Sequence, residues 1–360
     1  MLIYYLGYAV LFVFAFMARP LKRKDESKYN KVLFIVSSIV IVLILGLRHP
    51  SMGNDLRYQS PNGYLGAFDH IISYSWSSIL HMKIMNFERG FIIYNKLVGF
   101  LGTDRQMFLF VTAAVSVVPI MYYLSKNSKN MLLSVIIYLG LPVFLLCFSG
   151  LRQAIAIGIT SLSMIYIKEK SLVKFVLLVM LASTFHFTAV VFLIAYPMYH
   201  IKANDKWDVI SIISIPIVYI LRVPLFDMLS GILKNNAKMT ETGALTLFII
   251  FALIYVGLVI LNKKRNRPSG YINIFYLACL CQAFAGVYYT AMRVAYYFMI
   301  ALAVGLPEVL QEMKSEREGD STYKISYCVV VIIFIIYGLY AIKTSSWAMA
   351  YPYKFFWSIV

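Results

Sequence analysis

Acidic side chains are scarce in this chain: Asp and Glu number 16 among 360 residues, against 33 Lys and Arg. No Asp-x-Asp occurs, and the few histidines and carboxylates lack metal-ligand spacing, so no metal and no other cofactor is expected. Charge of either sign is thin, at 14% of residues, whereas 61% are hydrophobic and the mean hydropathy is +0.76. That balance excludes an ordinary soluble domain. No segment alternates apolar and polar residues with a period of two, which excludes a membrane barrel. Only four cysteines occur, Cys147, Cys279, Cys281 and Cys328. All lie in apolar runs and read as small buried hydrophobes rather than as disulfide partners or metal ligands. Also missing is a basic leader or an Ala-x-Ala cleavage site, so residues 1–17 read as a retained first helix.

What is present is a succession of apolar runs of span length. About 20 helical residues cross a bilayer, and helices satisfy their own backbone groups in lipid. The chain therefore reads as all-α, a polytopic helical bundle. Helices are expected at 2–18, 31–47, 106–124, 131–148, 151–167, 172–185, 187–199, 209–221, 244–261, 271–289, 292–310 and 325–341, which makes about 12 transmembrane helices. The longest stretch without a span is 48–105, so residues 1–360 read as a single integral membrane domain, with an outer loop at 48–105 and an external C-terminal segment at 343–360.

The net charge of +17 could suit nucleic acid, yet the basic residues sit in short loops between apolar runs, which is a topology signal. Placing 19–31 in the cytoplasm and alternating strictly puts 20 of the 33 basic residues inside, with some in every cytoplasmic loop. No nucleic acid is expected as a partner. The run 87–102 is apolar enough to span, but counting it would expose the lysine-rich loops. It reads as an interfacial or re-entrant helix on the outer face. Residues 172–199 read as a hairpin of two short helices turning at Thr184-Phe185-His186, which sinks His186 into a cavity.

Arg152 is the only charge between Met131 and Ile167. A guanidinium in hydrocarbon costs at least about 2.5 kcal/mol, so it is expected to face a protein interior or a wet cavity. Ser149-Gly150 reads as a tight turn between two spans, with Arg152 on the first turn of the second. In this topology Arg48, His49, Asp55, Arg57, Glu88, Arg89, Arg152, His186 and Arg293 all fall on the outer side. Singly each has an ordinary explanation: Arg48 snorkels, His186 caps a turn, Glu88-Arg89 is a surface pair. Their joint placement on one face is not explained that way.

The pattern Arg48-His49-x-x-x-Gly53-Asn54-Asp55-x-x-Tyr58 follows the second helix. It is joined by Phe87-Glu88-Arg89-Gly90-Phe91, Ser149-Gly150-Leu151-Arg152-Gln153-Ala154, Ser183-Thr184-Phe185-His186-Phe187-Thr188-Ala189 and the terminal Pro352-Tyr353-Lys354-Phe355. This set, from Arg48 to Phe355, resembles the EpsG family of Wzy-type polymerases of bacterial surface polysaccharides (O-antigen, exopolysaccharide, capsule). The resemblance implies a multi-pass, GT-C-like glycosyltransferase of the bacterial cytoplasmic membrane with its active site facing outside. It implies undecaprenyl-pyrophosphate-linked oligosaccharides as donor and acceptor, membrane lipids around the spans, and a chain-length regulator and a flippase as partners.

A sugar carbon bearing pyrophosphate already has a good leaving group, so catalysis needs cations for the departing anion and a base for the acceptor hydroxyl. Arginine suits the first role through its bidentate fork. Arg152 and Arg293 are the first choices, then Arg48, with Arg57, Gln153 and Tyr289 as further substrate contacts. For the base, His186, Asp55 and Glu88 are the candidates, His186 being preferred; a carboxylate among arginines would be held ionised and orient a cation instead. Aromatic residues in the outer loop and tail suit sugar stacking, although membrane interfaces also gather them. The tail from 345 reads as an interfacial segment over the cavity mouth. Rival readings are a lipid-linked oligosaccharide flippase or other transporter, which would place charge near the midplane and show repeated halves; an O-antigen ligase or acyltransferase of similar topology; and a membrane scaffold, in which Arg152 would be an unexplained cost.

Overall fold

The computed structural model of the chain describes residues 1–57, 62–81, 87–232, 245–263, 270–316 and 321–358. Among them, helix is the only regular element besides one isolated antiparallel bridge, Arg48 to Phe355. The all-α expectation holds. In chain order the α-helices are α1 Leu2–Met17, α2 Arg19–Lys24, α3 Glu26–Gly46, α4 Tyr64–Ser73, α5 Trp76–His81, α6 Arg89–Val98, α7 Arg105–Asn127, α8 Met131–Gly140 and α9 Leu151–Lys168. They continue as α10 Leu172–Ser183, α11 Ala195–His200, α12 Asp205–Ile220, α13 Arg222–Ile232, α14 Leu245–Lys263, α15 Gly270–Ala283, α16 Tyr289–Met299, α17 Leu302–Glu316 and α18 Ser321–Thr344. Several begin where a short polar side chain accepts an otherwise unpaired N–H: Asp25 from Lys28, Asp104 from Met107, Asn130 from Leu133 and Asn204 from Trp207.

Among the described residues, four helices are long and apolar enough to cross a membrane: Glu26–Gly46, Arg105–Asn127, Leu245–Asn262 and Ser321–Thr344. Two bent pairs raise the number to six, Asp205–Ile220 with Arg222–Met228 at 76° and Thr290–Met299 with Leu302–Lys314 at 41°. Several expected spans are thus shorter or broken. The run 131–148 is not one helix: α8 stops at Gly140, Leu141 is extended, and Pro142–Cys147 is 3₁₀. Pro142 accounts for the break, since it lacks an N–H and disfavours helical geometry in the residue before it. The run 187–199 is 3₁₀ over Phe187–Ile194 before α11 begins. The run 87–102 contains only α6, ten residues or about 15 Å, half the thickness of a bilayer core.

The chain forms two compact units, Met1–Val190 with Ser321–Val360, and Val191–Asp320. In the first, α3, α7, α9 and α10 pack in series and α8 packs on α18. Helices α4 and α6 lie on α7 through a cluster that includes Leu65, Phe68, Phe91, Tyr94, Phe108 and Ile155. This apolar raft gives the 48–105 segment a fixed seat. In the second unit, α15 packs against α11, α12, α14, α16 and α17. There Trp207 Nε1 donates to Asn273 Oδ1 at 3.0 Å, and Asn273 Nδ2 donates to the Ile201 carbonyl at 2.9 Å. Outward faces are apolar: Leu2, Val13 and Phe16 on α1, Leu253 and Ile260 on α14, and Ile325 and Ile336 on α18 are exposed. Such faces suit lipid, not water, as expected of a multi-pass membrane protein.

Candidate active site

The site grows from the break ahead of α9. Because Pro142 diverts the chain into 3₁₀, the carbonyls of Cys147 and Phe148 are left outside any α-helical ladder. Arg48 takes both, from Nη1 at 2.6 Å and Nη2 at 3.2 Å, with its guanidinium 5.0 Å from the Phe148 ring centroid. Arg48 is fully buried, which lowers its guanidinium to about 10, still charged at neutral pH. Its main chain pairs with the tail: Arg48 bridges to Phe355, His49 N–H donates to the Lys354 carbonyl at 2.8 Å, and Phe356 N–H donates to the Leu47 carbonyl at 2.9 Å. Arg48 is therefore a clamp joining the end of α3, the break and the tail. The tail pairs with the loop that opens the outer segment.

Gly53 explains the next part of the motif. Its φ is +125°, and a Cβ there would sit 2.1 Å from the Phe148 carbonyl oxygen. Both facts require glycine. The tight approach lets Ser149 Oγ accept the Asp55 N–H at 3.1 Å. Arg57 follows in left-handed backbone geometry, φ 46°, a strained state for a long side chain that persists only where its surroundings impose it.

Glu88 sits at the N-terminal end of α6, seated by Gly90, whose N–H donates to the Thr184 carbonyl at 2.9 Å. Its carboxylate is the hub of the site. Oε2 accepts from Arg152 Nη1 at 2.5 Å, Oε1 accepts from the Phe187 N–H at 3.0 Å, and His186 Nδ1 lies 3.4 Å from Oε1. Burial opposes ionisation of Glu88, but His186, the Phe187 amide and Arg152 outweigh it and hold the carboxyl at about 2. The side chains of Arg152, Glu88 and His186 are 19%, 21% and 13% exposed, so the group is partly desolvated. Arg152 also lies over the Phe87 ring, 4.6 Å from its centroid, and its Nε donates to Tyr64 Oη at 3.4 Å. Tyr64 and Phe87 stack with centroids 5.5 Å apart.

In front of Arg152 is an open cleft of about 150 Å³, lined by Asp55, Arg57, Asn62, Gly63, Tyr64, Phe87 and Arg152. Three of the sequence-derived candidates, Asp55, Arg57 and Arg152, meet there. Glu88 contacts the back of Arg152. His186 stands behind Glu88 and does not line the cleft; its Nε2 is buried without a hydrogen-bond partner among the described residues. Arg48 and Gln153 are buried in the scaffold. Arg89 points elsewhere, donating to the Ile79 carbonyl at 3.0 Å. Arg293 and Tyr289 lie on α16 in the second unit, Arg293 half-buried and the Tyr289 side chain outside what is described; Tyr58 also lies outside the described residues. Sequence reasoning gave no role in holding Arg152 to Phe87 and Tyr64. The signal for Phe87 was its place beside Glu88.

Two guanidinium groups and one carboxylate on an aromatic-walled cleft can bind a polyanion and accept a proton nearby. In comparison with known proteins, the model of the EpsG family matches residues 31–355. No curated protein and no solved structure matches the chain.

Proposed function

We propose, because this chain belongs to the EpsG family and members of that family are Wzy-type polysaccharide polymerases, that it joins undecaprenyl-pyrophosphate-linked oligosaccharide repeats at the outer face of the bacterial cytoplasmic membrane. The observation that supports this most is the meeting of Arg152, Arg57 and Asp55, from separate stretches of sequence, on one cleft. In this reading Arg152 and Arg57 hold the donor's pyrophosphate, Arg152 presenting its fork because Glu88 fixes the opposite edge. The acceptor hydroxyl attacks the anomeric carbon; the bond from that carbon to the phosphate oxygen breaks, and undecaprenyl pyrophosphate departs as the anion. Asp55 takes the hydroxyl proton, being the carboxylate on the cleft, and His186 positions Glu88. The base thus moves from His186, preferred on sequence, to Asp55. Tyr64 and Phe87 offer faces to the sugar. Arg293 and Tyr289 of the second unit stand as further proposed substrate contacts. The reading keeps twelve crossings in a GT-C-like bundle acting as one membrane domain, with the short and broken apolar helices supplying the remaining spans.

The test is direct. Purified protein in detergent, given a synthetic lipid-linked repeat unit, is expected to produce a ladder of longer glycans. Binding without any ladder would overturn the polymerase and favour transport.

A further inference from the structure

The loop from Arg48 to Arg57 borders a second cleft as well. Asp55 and Arg57 line the one at Arg152; Ser51 and Met52 line another, larger one of about 450 Å³. The opposite wall is the end of α18 and the tail, and it contributes Lys343, Ser345, Ser346 and Lys354. Among the described residues, no carboxylate lines this space. Lys343 alone would be unremarkable, since a cation in the last turn of a helix offsets the dipole. Lys354 belongs to no helix, so that explanation fails for it. Its position is set by main chain: the Lys354 carbonyl accepts from His49 N–H, and its N–H donates to Met52 Sδ at 3.2 Å. The ammonium has no share in holding the tail. Neither lysine has an ion-pair partner among the described residues, and the Ser345 and Ser346 hydroxyls make no side-chain hydrogen bond there either. Two cations and two free donors thus line one space, whose remaining wall includes Met52, Met349, Tyr351 and Pro352.

We propose that this cleft is a second diphosphate-binding site, which holds the lipid diphosphate of the acceptor while the Arg152 cleft holds that of the donor. The inference rests on the polymerase reading, in which two lipid-linked molecules are bound at once. Their diphosphates have different fates. The donor's leaves and gathers charge as it does so, which calls for a fixed, bidentate arginine. The acceptor's stays bonded to its sugar and needs only to be held, a task for lysine point charges and hydroxyls that bind without drawing electrons from a breaking bond. Spacing agrees. Met52 borders one cleft and Asp55 the other, and three residues of chain reach at most about 11 Å. The retained diphosphate is therefore held within a short oligosaccharide's length of the reacting carbon.

The experiment counts bound probe on the full-length chain in phosphatidylcholine nanodiscs, using undecaprenyl pyrophosphate and native mass spectrometry. The parent is expected to bind two molecules, Lys343→Gln/Lys354→Gln one, and Arg152→Gln one. The molecule retained by the lysine variant reports that its fold is intact, and Lys343→Arg/Lys354→Arg is expected to bind two again. A lysine-to-glutamine variant that still binds two, with affinities within twofold of the parent, overturns the second site. So does an Arg/Arg variant that binds fewer than two. Replacing a third of the phosphatidylcholine with phosphatidylglycerol separates the sources of phosphate: displacement of one probe molecule would make the cleft an ordinary lipid-headgroup site and overturn the assignment. The glycan ladder is scored separately. If the ladder never forms while the probe counts follow expectation, the polymerase reading fails and the binding site stands; a ladder at the parent's rate from a lysine variant that binds two fails the second site alone.

Discussion

Arg152 and Arg48 are alike in the sequence, each an isolated cation beside an apolar run, yet their surroundings give them different work. Arg48 spends its donors on two backbone carbonyls in a fully buried place, whereas Arg152 has one edge on Glu88 and lines a cleft. Replacing Arg152 by Lys keeps the charge and loses the fork, so turnover is expected to fall tenfold or more, about 1.4 kcal/mol or more of transition-state stabilisation. Arg89→Lys should cost little, because one ammonium can still donate to the Ile79 carbonyl; steady-state rates of glycan elongation check both. Equal tolerance would make Arg152 a packing residue. For the proton, Asp55→Asn is expected to abolish elongation while undecaprenyl pyrophosphate still binds, and His186→Gln to weaken it only partly. A loss of parent activity as pH falls through the imidazole range would return the base to His186. Glu88 adds a separate pH effect. Its carboxyl is lowered from 4.5 to about 2, so its stabilising contribution is complete above pH 4.5 and is lost as pH falls toward 2. The contribution is on the order of 3 kcal/mol. Thermal unfolding should show this acid-side loss in the parent and not in Glu88→Gln, and should show no Glu88 effect between pH 5 and 8. The two roles were not separable in sequence, because the partners of Arg48 are backbone carbonyls that any residue types would supply.

At the scale of elements, the site depends on where short helices begin and end. Helix α6 is held by contact of Gly90 with Thr184, where an added Cβ would lie 2.2 Å from Thr184 Oγ1 and 2.8 Å from its Cβ and carbonyl oxygen. Gly90→Ala is therefore expected to push the start of α6 from the end of α10 and lengthen the Glu88 to Arg152 pair, lowering elongation by tenfold or more. Adding Thr184→Ala removes the closest contact and should restore part of the rate, measured in the same assay; no recovery would mean that Gly90 acts through helix propensity instead. Long elements were legible. The apolar runs place α7 and α8 within one residue of their observed starts, whereas α3 and α12 begin five and four residues earlier than expected, because the polar first turns behind the caps Asp25 and Asn204 carry no apolar signal. Less was readable between Arg48 and Arg105. Helices α4 and α5 are ten and six residues long, too short for a span-length pattern, and their seat on α7 is a tertiary fact. The break at Pro142 was readable from the proline itself and was passed over because the surrounding run is continuously apolar. The convergence of the five motifs could be expected on one face, but which of them reach the cleft depends on side-chain direction, which spacing in sequence does not give.

For the whole molecule, the arrangement of basic loops and the position of the cleft have to agree. If the chain polymerises at the outer face, the 48–105 segment with Asp55, Arg57 and Glu88 must be external, and the loop after α7 must be cytoplasmic. The short α6 is consistent with this: ten residues do not cross a bilayer, so among the described residues α3 and α7 are consecutive candidate spans, and on that topology the chain changes sides once, through α7. Lys126 and Lys129 then lie inside, as the bias of Lys and Arg toward the cytoplasm requires. A single cysteine placed at Asn62, beside the cleft, should react in whole cells with a membrane-impermeant maleimide, while one at Lys129, exposed just beyond α7, should react only after the membrane is opened. The background for both should carry Cys328→Ser, since Cys328 is the native cysteine with an exposed side chain among the described residues. External labelling at both positions would mean that a crossing exists between them beyond α7. The segment from 82 to 104 would then have to span, every later loop would change side, and the lysine-rich ones would face outward. That would put Asn62 outside and Arg152 inside, although both line one cleft, so the result would overturn the cleft itself together with the topology.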